Sequence, residues 1–224
     1  MIESNKVERV DAQVWVFDLD NTLYPRDCNL FAQIDVKMKT FIGNLLNVDV
    51  EEAHRIQKQY FRTHGTTLRG LMDNHGLKPE EFLDYVHDID VTPVPPNPAL
   101  NDVLYQIDGR KLIFTNGSVA HAENVLGRLG VRHHFEGIFD IIAADYVPKP
   151  ERLAYEVFVA EHDIDPTCAV MLEDIARNLQ PAHEMGMTTV WLRSDHDHSA
   201  IGAKGDHVHH IIDDLVEWLE DQAR

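Results

Sequence analysis

The sequence is poor in cysteine, in basic residues and in long apolar runs. Its two cysteines, Cys28 and Cys168, are far apart and have no CxxC or His-Cys ligand spacing, which argues against a disulfide framework and against a structural zinc site. Lys and Arg number 20 against 38 Asp and Glu, which leaves a formal net charge of −18 at neutral pH. Because that charge repels phosphates, we expect neither a nucleic acid polymer nor an acidic membrane as a partner.

No segment approaches the ~20 consecutive apolar residues that span a bilayer, and the N-terminal stretch MIESNKVERVDAQ has no apolar stretch typical of a signal peptide. The scarcity of cysteine fits a reducing compartment. Apolar residues make up 44% and charged residues 26% of the chain, close to the average of proteins that bury a sizeable core. We therefore expect a soluble cytoplasmic protein.

Short β-branched and aromatic runs alternate with helical patterns over most of the chain. The expected strands are residues 14–17, 111–115, 137–143, 169–173 and 188–192, with a shorter candidate at 208–212. Apolar residues at positions 122, 125, 126 and 129 fall on one helix face, and residues 151–162 and 178–185 show comparable patterns. Strands alternating with single helices predict an α/β fold with a doubly wound parallel sheet, covered on both faces.

Residues 24–91 interrupt this alternation with several helical patterns and no convincing strand. The chain returns through TPVPPNPAL, residues 92–100, a proline-rich segment that is stiff enough for a defined hinge. The sequence therefore predicts an α/β core made of residues 1–23 and 92–224, with an all-helical insertion at 24–91 after the first strand.

Residues with reactive or charged side chains follow four of the expected strands. They are Asp18 and Asp20; Thr115, Asn116 and Gly117; Lys149; and Glu173 and Asp174. In a parallel sheet these positions meet at one edge, where ligands bind. Several carboxylates in one cleft repel one another unless a cation holds them, and hard oxygen ligands favour Mg²⁺. A carboxylate beside Mg²⁺ and a lysine is suited to attack on a phosphoryl group.

The motifs at these strand ends resemble those of haloacid dehalogenase superfamily phosphatases. They are DLDNT at 18–22, TNG at 115–117, KP at 149–150 and ED at 173–174. Taken singly, the acids fit turn or helix caps and Lys149 fits a solvated loop, but the four elements in order are far more specific. The resemblance implies a core of that superfamily and a cap formed by the helical insertion, which closes over the site and reads the leaving group.

By this resemblance, Asp18 is the nucleophile that forms an aspartyl-phosphate, and Asp20 is the general acid that later activates water. The Asp18 carboxylate, the Asp20 backbone carbonyl and Asp174 are the implied Mg²⁺ ligands. Glu173 is implied to contact the metal through a water molecule or to hold one of the direct ligands in place.

The resemblance assigns phosphate binding to the other two strand ends. Thr115, the backbone N–H groups around Asn116 and Gly117, and Lys149 are the implied contacts of the phosphoryl oxygens.

A narrower likeness concerns the insertion and its entry. DLDNTLYP at 18–25, HGTTLRGL at 64–71 and EDIARNLQPAHEMGMTTVWL at 173–192 are similar to the pyrimidine 5′-nucleotidase branch of the superfamily. Tyr24, His64 and Arg69 are the candidates for substrate recognition. The alternatives are that Arg69 pairs with an acid of the insertion, that His64 merely ends a helix, and that Tyr24 packs the hinge.

Histidines cluster near the C-terminus, at positions 196, 198, 207, 209 and 210. A transition-metal site is one interpretation of His196, His198, His207, His209 and His210. A solvated loop is the favoured one, because the cluster lacks a fixed ligand spacing.

The resemblance thus implies a Mg²⁺-dependent phosphomonoesterase acting on pyrimidine nucleoside 5′-monophosphates. A phosphatase or phosphomutase for another small phosphorylated metabolite is the alternative. A 2-haloacid dehalogenase needs neither an acid at Asp20 nor a metal ligand at Asp174, so both residues count against it. A non-catalytic scaffold ranks last because every motif is intact, and the oligomeric state is left open.

Overall fold

The computed structural model describes residues 9–194 and 199–223. Within these ranges the strands are β1 (Val14–Phe17), β2 (Arg110–Phe114), β3 (Gly137–Phe139), β4 (Ala169–Glu173), β5 (Thr188–Leu192) and β6 (His210–Ile212). They form one six-stranded sheet in the order β3-β2-β1-β4-β5-β6, and every neighbouring pair is parallel. The predicted doubly wound parallel sheet is confirmed.

Two expected strands are shorter than their sequence patterns. The expected strand at 137–143 ends at Phe139, because the Asp140 carboxylate accepts hydrogen bonds from the backbone N–H of Ile142 at 3.0 Å and of Ala143 at 2.9 Å. These bonds turn the chain away from the sheet, as Asp side chains do in local turns. The candidate at 208–212 pairs only over its last three residues, 210–212.

Helices cover both faces of the sheet. They are α5 (Pro98–Gln106), α6 (Val119–Leu129), α7 (Arg152–Glu161), α8 (Gln180–Glu184) and α9 (Leu215–Ala223). Successive residues of β1 point to opposite faces, so Trp15 and Phe17 pack in one hydrophobic core and Val14 and Val16 in another. All four β1 side chains are buried, as expected for a central strand of a parallel sheet.

Four further helices form what we call the helical unit: α1 (Leu30–Leu46), α2 (Val50–His64), α3 (Thr67–His75) and α4 (Pro79–His87). Side-chain caps define two of their starts, because Asp49 accepts a hydrogen bond from Glu52 N and Thr66 accepts one from Arg69 N. Proline opens α4, where its missing N–H leaves no helical bond unmade. The helical unit lies within the predicted insertion, residues 24–91.

A third hydrophobic core belongs to the helical unit, and one of its members comes from outside it. Ile42, Leu71 and Phe82 are central, fully buried members of this core. Ile141, from the loop after β3, is buried in the same core, and Tyr146 of that loop packs against it. The α/β layers and the helical unit are therefore joined by apolar packing as well as by the two chain crossings.

The returning crossing is tied to α6. Arg128 donates hydrogen bonds to the carbonyl oxygens of Val94 and Thr92, and Asn97 N donates to the carbonyl oxygen of Leu129 at 3.0 Å. These bonds fix the proline-rich return against the core. Among the described residues, no helix combines the length and the apolar character needed to cross a bilayer.

Candidate active site

The predicted strand-end residues meet at one cavity of about 770 Å³. The core side of its lining includes Asp18, Asp20, Thr115, Asn116, Gly117, Lys149, Glu173 and Asp174. All eight come from the carboxyl end of β4 or from the loops that follow β1, β2, β3 and β4. The cavity continues to the helical unit, so the site lies between the two parts of the molecule.

A tight turn after β1 sets the positions of the first two carboxylates. Leu19 O accepts hydrogen bonds from Thr22 N at 3.3 Å and from Leu23 N at 3.1 Å. Asn21 has a φ of 63°, a left-handed conformation that Asn adopts more readily than most residues. The turn brings the Thr22 hydroxyl back to Asp18, where it donates to Oδ2 at 2.8 Å.

Lys149 is fully buried and binds three acceptors. Its Nζ lies 2.8 Å from Asp18 Oδ1, 2.7 Å from Glu173 Oε2 and 2.8 Å from the carbonyl oxygen of Phe114. Burial opposes a charged ammonium, but the two carboxylates outweigh it and raise the pKa of Lys149. An ammonium has three donors, so all three are engaged. A direct bond from Lys149 to a phosphoryl oxygen therefore requires one of these contacts to be exchanged.

Asn116 fixes the backbone of Lys149 rather than pointing freely into the cavity. Its side chain accepts from Lys149 N at 2.8 Å and donates to Lys149 O at 3.3 Å. This pair of bonds joins the loop after β2 to the loop after β3. The side chain of Asn116 is thus a structural clamp, and its backbone N–H is what remains for the predicted phosphate contact.

The loop after β2 is closely packed at Gly117. Gly117 N donates to the Thr115 hydroxyl oxygen at 2.9 Å. A Cβ at position 117 would lie 3.3 Å from both Thr115 Oγ1 and His121 Cδ2. Glycine therefore allows this loop to lie close to the carboxylates.

Three carboxylates form the acidic cluster, which we define as Asp18, Glu173 and Asp174. All three are buried, and one oxygen from each lies within 4.8 Å of the others. Burial and the Glu173 charge raise the pKa of Asp18 to about 7, although Lys149 opposes this, and burial with Glu173 and Asp18 raises the pKa of Asp174 well above its usual value. One lysine does not balance three carboxylates, so the cluster fits a hard divalent cation.

Asp20 has a different environment from Asp18. Tyr24 donates to Asp20 Oδ1 at 2.5 Å, and His121 Nε2 lies 2.8 Å from the same oxygen. Burial alone would raise the pKa of Asp20, but the His121 charge and the two hydrogen bonds lower it to about 2. The pKa values of these two carboxylates, which are separated by one residue, are therefore shifted in opposite directions. Asp20 holds a proton near neutral pH only when a further negative charge lies beside it.

Comparison with known proteins identifies the family. A model of haloacid dehalogenase-like hydrolases matches residues 13–186, which is most of the chain. The chain belongs to the haloacid dehalogenase-like hydrolases. The superfamily predicted from the four motifs is thus confirmed, whereas the narrower likeness to the nucleotidase branch stays a prediction.

This hydrolase is similar to two curated proteins, and each match covers only part of the curated protein. Phosphate metabolism protein 8 of Saccharomyces cerevisiae is 26% identical over 193 residues, which cover 78% of this chain and 60% of the relative. Fructose-1-phosphate phosphatase YqaB of Escherichia coli is 32% identical over 126 residues, which cover 54% of this chain and 64% of the relative. The chain therefore spans less than two thirds of either relative.

A solved structure extends the likeness to the whole fold. The HAD phosphatase from Thermococcus onnurineus superposes with a TM-score of 0.62 at 20% identity, covering 93% of this chain and 96% of that one. At 20% identity this similarity establishes only the fold of the hydrolase and not its activity.

The three residues predicted to recognise the substrate lie in different places in the structure. Tyr24 is buried in a hydrophobic core and does not line the cavity, and its hydroxyl donates to Asp20. Arg69 is paired with Asp73 at 3.0 Å, and His64 ends α2, with Thr63 Oγ1 2.7 Å from its Nδ1. Neither Arg69 nor His64 lines the cavity. The alternatives stated for these two residues, an ion pair within the insertion and a helix end, describe their observed positions.

The helical unit presents other residues to the cavity of this hydrolase. Asp35 accepts hydrogen bonds from Gln57 at 2.8 Å and from Lys58 at 3.1 Å, and Lys39 Nζ lies 2.9 Å from its other oxygen. The cavity face of the helical unit includes Phe31, Asp35, Lys39, Gln57, Lys58 and Phe61. Sequence reasoning missed this face, because neither motif nor spacing separates it from ordinary surface residues of α1 and α2.

The C-terminal histidines do not form a metal group in the part of the chain that the structure describes. His183 Nδ1 lies 3.0 Å from His209 Nε2, and His209 Nδ1 is occupied by Thr189. His196 and His198 lie outside the described residues. Within the described ranges, the acidic cluster is the only group of three or more candidate ligands.

Proposed function

We propose that this chain is a Mg²⁺-dependent phosphomonoesterase that acts through an aspartyl-phosphate, with pyrimidine nucleoside 5′-monophosphates as its substrates. The observation that carries the reaction class is the pair Asp18 and Asp20. They line one cavity, but Asp18 contacts a buried lysine and Asp20 contacts a tyrosine and a histidine. Such a pair supplies a nucleophile and a separate acid and base.

In the first step an Asp18 carboxylate oxygen attacks phosphorus and the bond from phosphorus to the ester oxygen breaks. Protonated Asp20 gives its proton to that departing oxygen, so an alcohol leaves and the phosphoryl group stays on Asp18. Bound phosphate favours the required protonation state, because its negative charge opposes ionisation of Asp20. As Asp18 becomes an acyl phosphate, its carboxylate charge is lost, which frees a Lys149 donor for a phosphoryl oxygen.

In the second step Asp20, now a carboxylate, takes a proton from water as the water oxygen attacks phosphorus. The bond to Asp18 breaks and inorganic phosphate leaves, so Asp18 is regenerated as a carboxylate and Asp20 as the acid. The Thr115 hydroxyl and the backbone N–H of Asn116 hold the phosphoryl oxygens through both steps. The helical unit acts as the cap that excludes bulk water.

Asp18, the Asp20 backbone carbonyl and Asp174 are the residues that would hold Mg²⁺. When bound, the ion supplies positive charge that favours ionised Asp18 and balances the phosphoryl oxygens. Glu173 contacts the other loops of the site, because Oε2 accepts from Lys149 and Oε1 accepts from Ile175 N at 3.2 Å. Its role in this proposal is to hold Lys149 in place.

The size and lining of the cavity support a substrate larger than a small acid. Volumes of roughly 300–1,000 Å³ are typical of sites for drug-sized ligands, and this cavity has about 770 Å³. Phe31 offers aromatic surface, while Asp35, Gln57 and Lys58 offer polar groups. This combination suits a nucleoside, whose base stacks and whose edges form hydrogen bonds.

A smaller phosphorylated metabolite is the second candidate substrate. It is favoured by the likeness to the fructose-1-phosphate phosphatase of Escherichia coli, although that match covers only 54% of this chain. A phosphomutase would use the same core residues and differ in how the cap controls water. Expulsion of halide needs neither Asp20 nor Asp174, so a dehalogenase leaves both unexplained.

The test is phosphate release from a panel of esters with Mg²⁺ and with EDTA. The panel contains UMP, CMP, dUMP, dTMP, AMP, GMP, pyridoxal phosphate, phosphoglycolate, fructose 1-phosphate and β-glucose 1-phosphate. Metal-dependent release that is fastest from the pyrimidine nucleotides is the expected result. Faster release from a sugar phosphate overturns the nucleotide assignment but keeps the reaction, and no release from any ester overturns both.

A further inference from the structure

His121 makes a contact with Asp20 that the motifs do not include. Its Nε2 lies 2.8 Å from Asp20 Oδ1, the same oxygen that accepts from Tyr24. Asp20 Oδ2 lies 3.7 Å from the position of a Cβ at Gly117, so it faces the loop assigned to phosphate binding. One carboxylate oxygen is therefore held by two partners, and the other lies near the loop assigned to phosphate binding.

The His121 ring is fixed on every side. His121 lies in the first turn of α6, its side chain is 0% exposed, and its ring stacks on that of His87 of α4 with centroids 4.7 Å apart and planes 13° apart. Ser118 Oγ accepts from His121 N at 3.4 Å and lies 2.9 Å from His87 Nδ1. Among the described residues His121 Nδ1 has no partner, so Nε2 makes the only polar contact of the ring.

We propose that His121 is a positioning residue for the general acid Asp20, an inference that rests on the proposed phosphatase reaction. A general acid must lie within hydrogen-bond reach of the leaving oxygen, and small displacements of such a group reduce catalysis strongly. With Tyr24 as its only donor, the Asp20 carboxylate could still rotate about the hydrogen bond that Oδ1 accepts from Tyr24. The second donor, held by a buried ring, defines one orientation of the carboxylate.

This role has a consequence that a packing role lacks. An alcohol such as the 5′-oxygen of a nucleoside leaves poorly without a proton, whereas p-nitrophenolate leaves without one. Loss of Asp20 positioning should therefore slow the first step for alkyl phosphates and spare it for p-nitrophenyl phosphate. The parameter kcat/KM isolates this difference, because it covers only the steps up to formation of the aspartyl-phosphate.

The experiment compares two variants that separate the donor from the ring. His121→Phe keeps the ring and its stacking on His87 but removes the donor, and His121→Gln keeps an N–H near the position of Nε2 but removes the ring. His162→Phe is the matched control, since its half-buried ring packs on Phe158 and its backbone oxygen bonds Arg110 at the opposite end of β2. Each is assayed on UMP and on p-nitrophenyl phosphate with Mg²⁺.

We expect His121→Phe to lower kcat/KM for UMP about 30-fold and for p-nitrophenyl phosphate less than about threefold. The loss on UMP is smaller than the roughly 10²–10⁴-fold that a general acid itself contributes, because Asp20 remains in place. His121→Gln should return to within about fivefold of wild type on UMP, and His162→Phe should change neither substrate. Equal losses on both substrates, or a Phe variant better than the Gln variant, overturn the positioning role alone. Wild-type protein that cleaves neither substrate overturns the proposed function and this inference together.

Discussion

The two sides of the cavity are built differently. On the core side, Lys149 and Glu173 are 1% exposed in their side chains, and their partners come from three separate strands or loops. On the side of the helical unit, Asp35, Lys39 and Lys58 keep 21%, 24% and 34% side-chain exposure and bond mainly to one another. The core side is thus held by long-range, buried contacts. In the proposed reaction the leaving group would meet the more exposed face, which small sequence changes can alter.

The largest expected effect separates chemistry from fold on the core side. Asp18→Asn removes the nucleophile but keeps the side-chain volume, so phosphate release should fall by about 10⁴-fold or more. The measurement is single-turnover phosphate release with Mg²⁺. Circular dichroism should show an unchanged fold. Residual activity within tenfold of wild type would show that another residue attacks phosphorus.

Removal of the metal is expected to have the next largest effect. Dialysis against EDTA should lower phosphate release by about 10²-fold or more, and Mg²⁺ should restore it, because the acidic cluster holds three carboxylates against one lysine. Mg²⁺ at about 100 times its Kd should also stabilise the folded protein by about 2.7 kcal/mol. Thermal unfolding measures this gain.

Asp174→Asn provides the control for that stabilisation. This variant should show no rise in Tm with Mg²⁺, since it lacks a predicted ligand. A full rise in the variant would place the ion elsewhere in the molecule.

A paired substitution tests the solvated face. Lys58→Met removes a charged group that lines the cavity, and kcat/KM for the preferred ester should fall about tenfold, or about 1.4 kcal/mol. Arg69→Met, also on the helical unit but away from the cavity, should stay within about twofold of wild type. Equal losses in the two variants would show that the effect comes from the helical unit as a whole rather than from its cavity face.

The smallest expected effect concerns stability and pH. The pKa of Asp174 is raised in the folded protein, so the folded state retains a proton that the unfolded chain releases near pH 4. Stability contributed by this group therefore falls as the pH rises above about 4. In EDTA, Asp174→Asn should raise Tm by about 3 °C at pH 8, roughly 1 kcal/mol for a chain of this size, and by almost nothing at pH 4.

Mg²⁺ should reverse the order of the two proteins at pH 8, because only the wild type gains the bound ion. A variant that is less stable than wild type in EDTA at every pH would show that the Asp174 carboxylate makes stabilising contacts of its own. That result would contradict the argument that repulsion among the buried carboxylates of the acidic cluster destabilises ionised Asp174.

The core side of the site could be predicted from the sequence because the ends of the strands can be recognised in the apolar pattern. An apolar run that stops at Asp18 marks both the strand and the residue that follows it. Parallel order then brings Thr115, Lys149 and Glu173 to the same edge whatever the lengths of the intervening segments. Strand bounds were less accurate, because the Asp140 turn ends β3 through side-chain bonds that the apolar pattern does not record.

The partners of Asp20 were not accessible in the same way. His121 is 101 residues from Asp20 in sequence. His87, from α4, stacks on the ring of His121. A usable signal did exist for His121, because Ser118 is a good N-cap residue and places His121 in the first turn of the helix after TNG, close to the active edge. No such signal marks His87, whose position depends on how the helical unit packs on the core.

The placement of Ile141 has a consequence for exchanging caps between relatives. By chain connection it belongs to the α/β layers, yet its side chain completes the hydrophobic core of the helical unit. A transplant limited to residues 24–91 would leave a methyl-lined hole in the donor segment and an unmatched apolar side chain on the recipient. We therefore expect an exchanged helical unit to be more stable when the loop after β3 is exchanged with it.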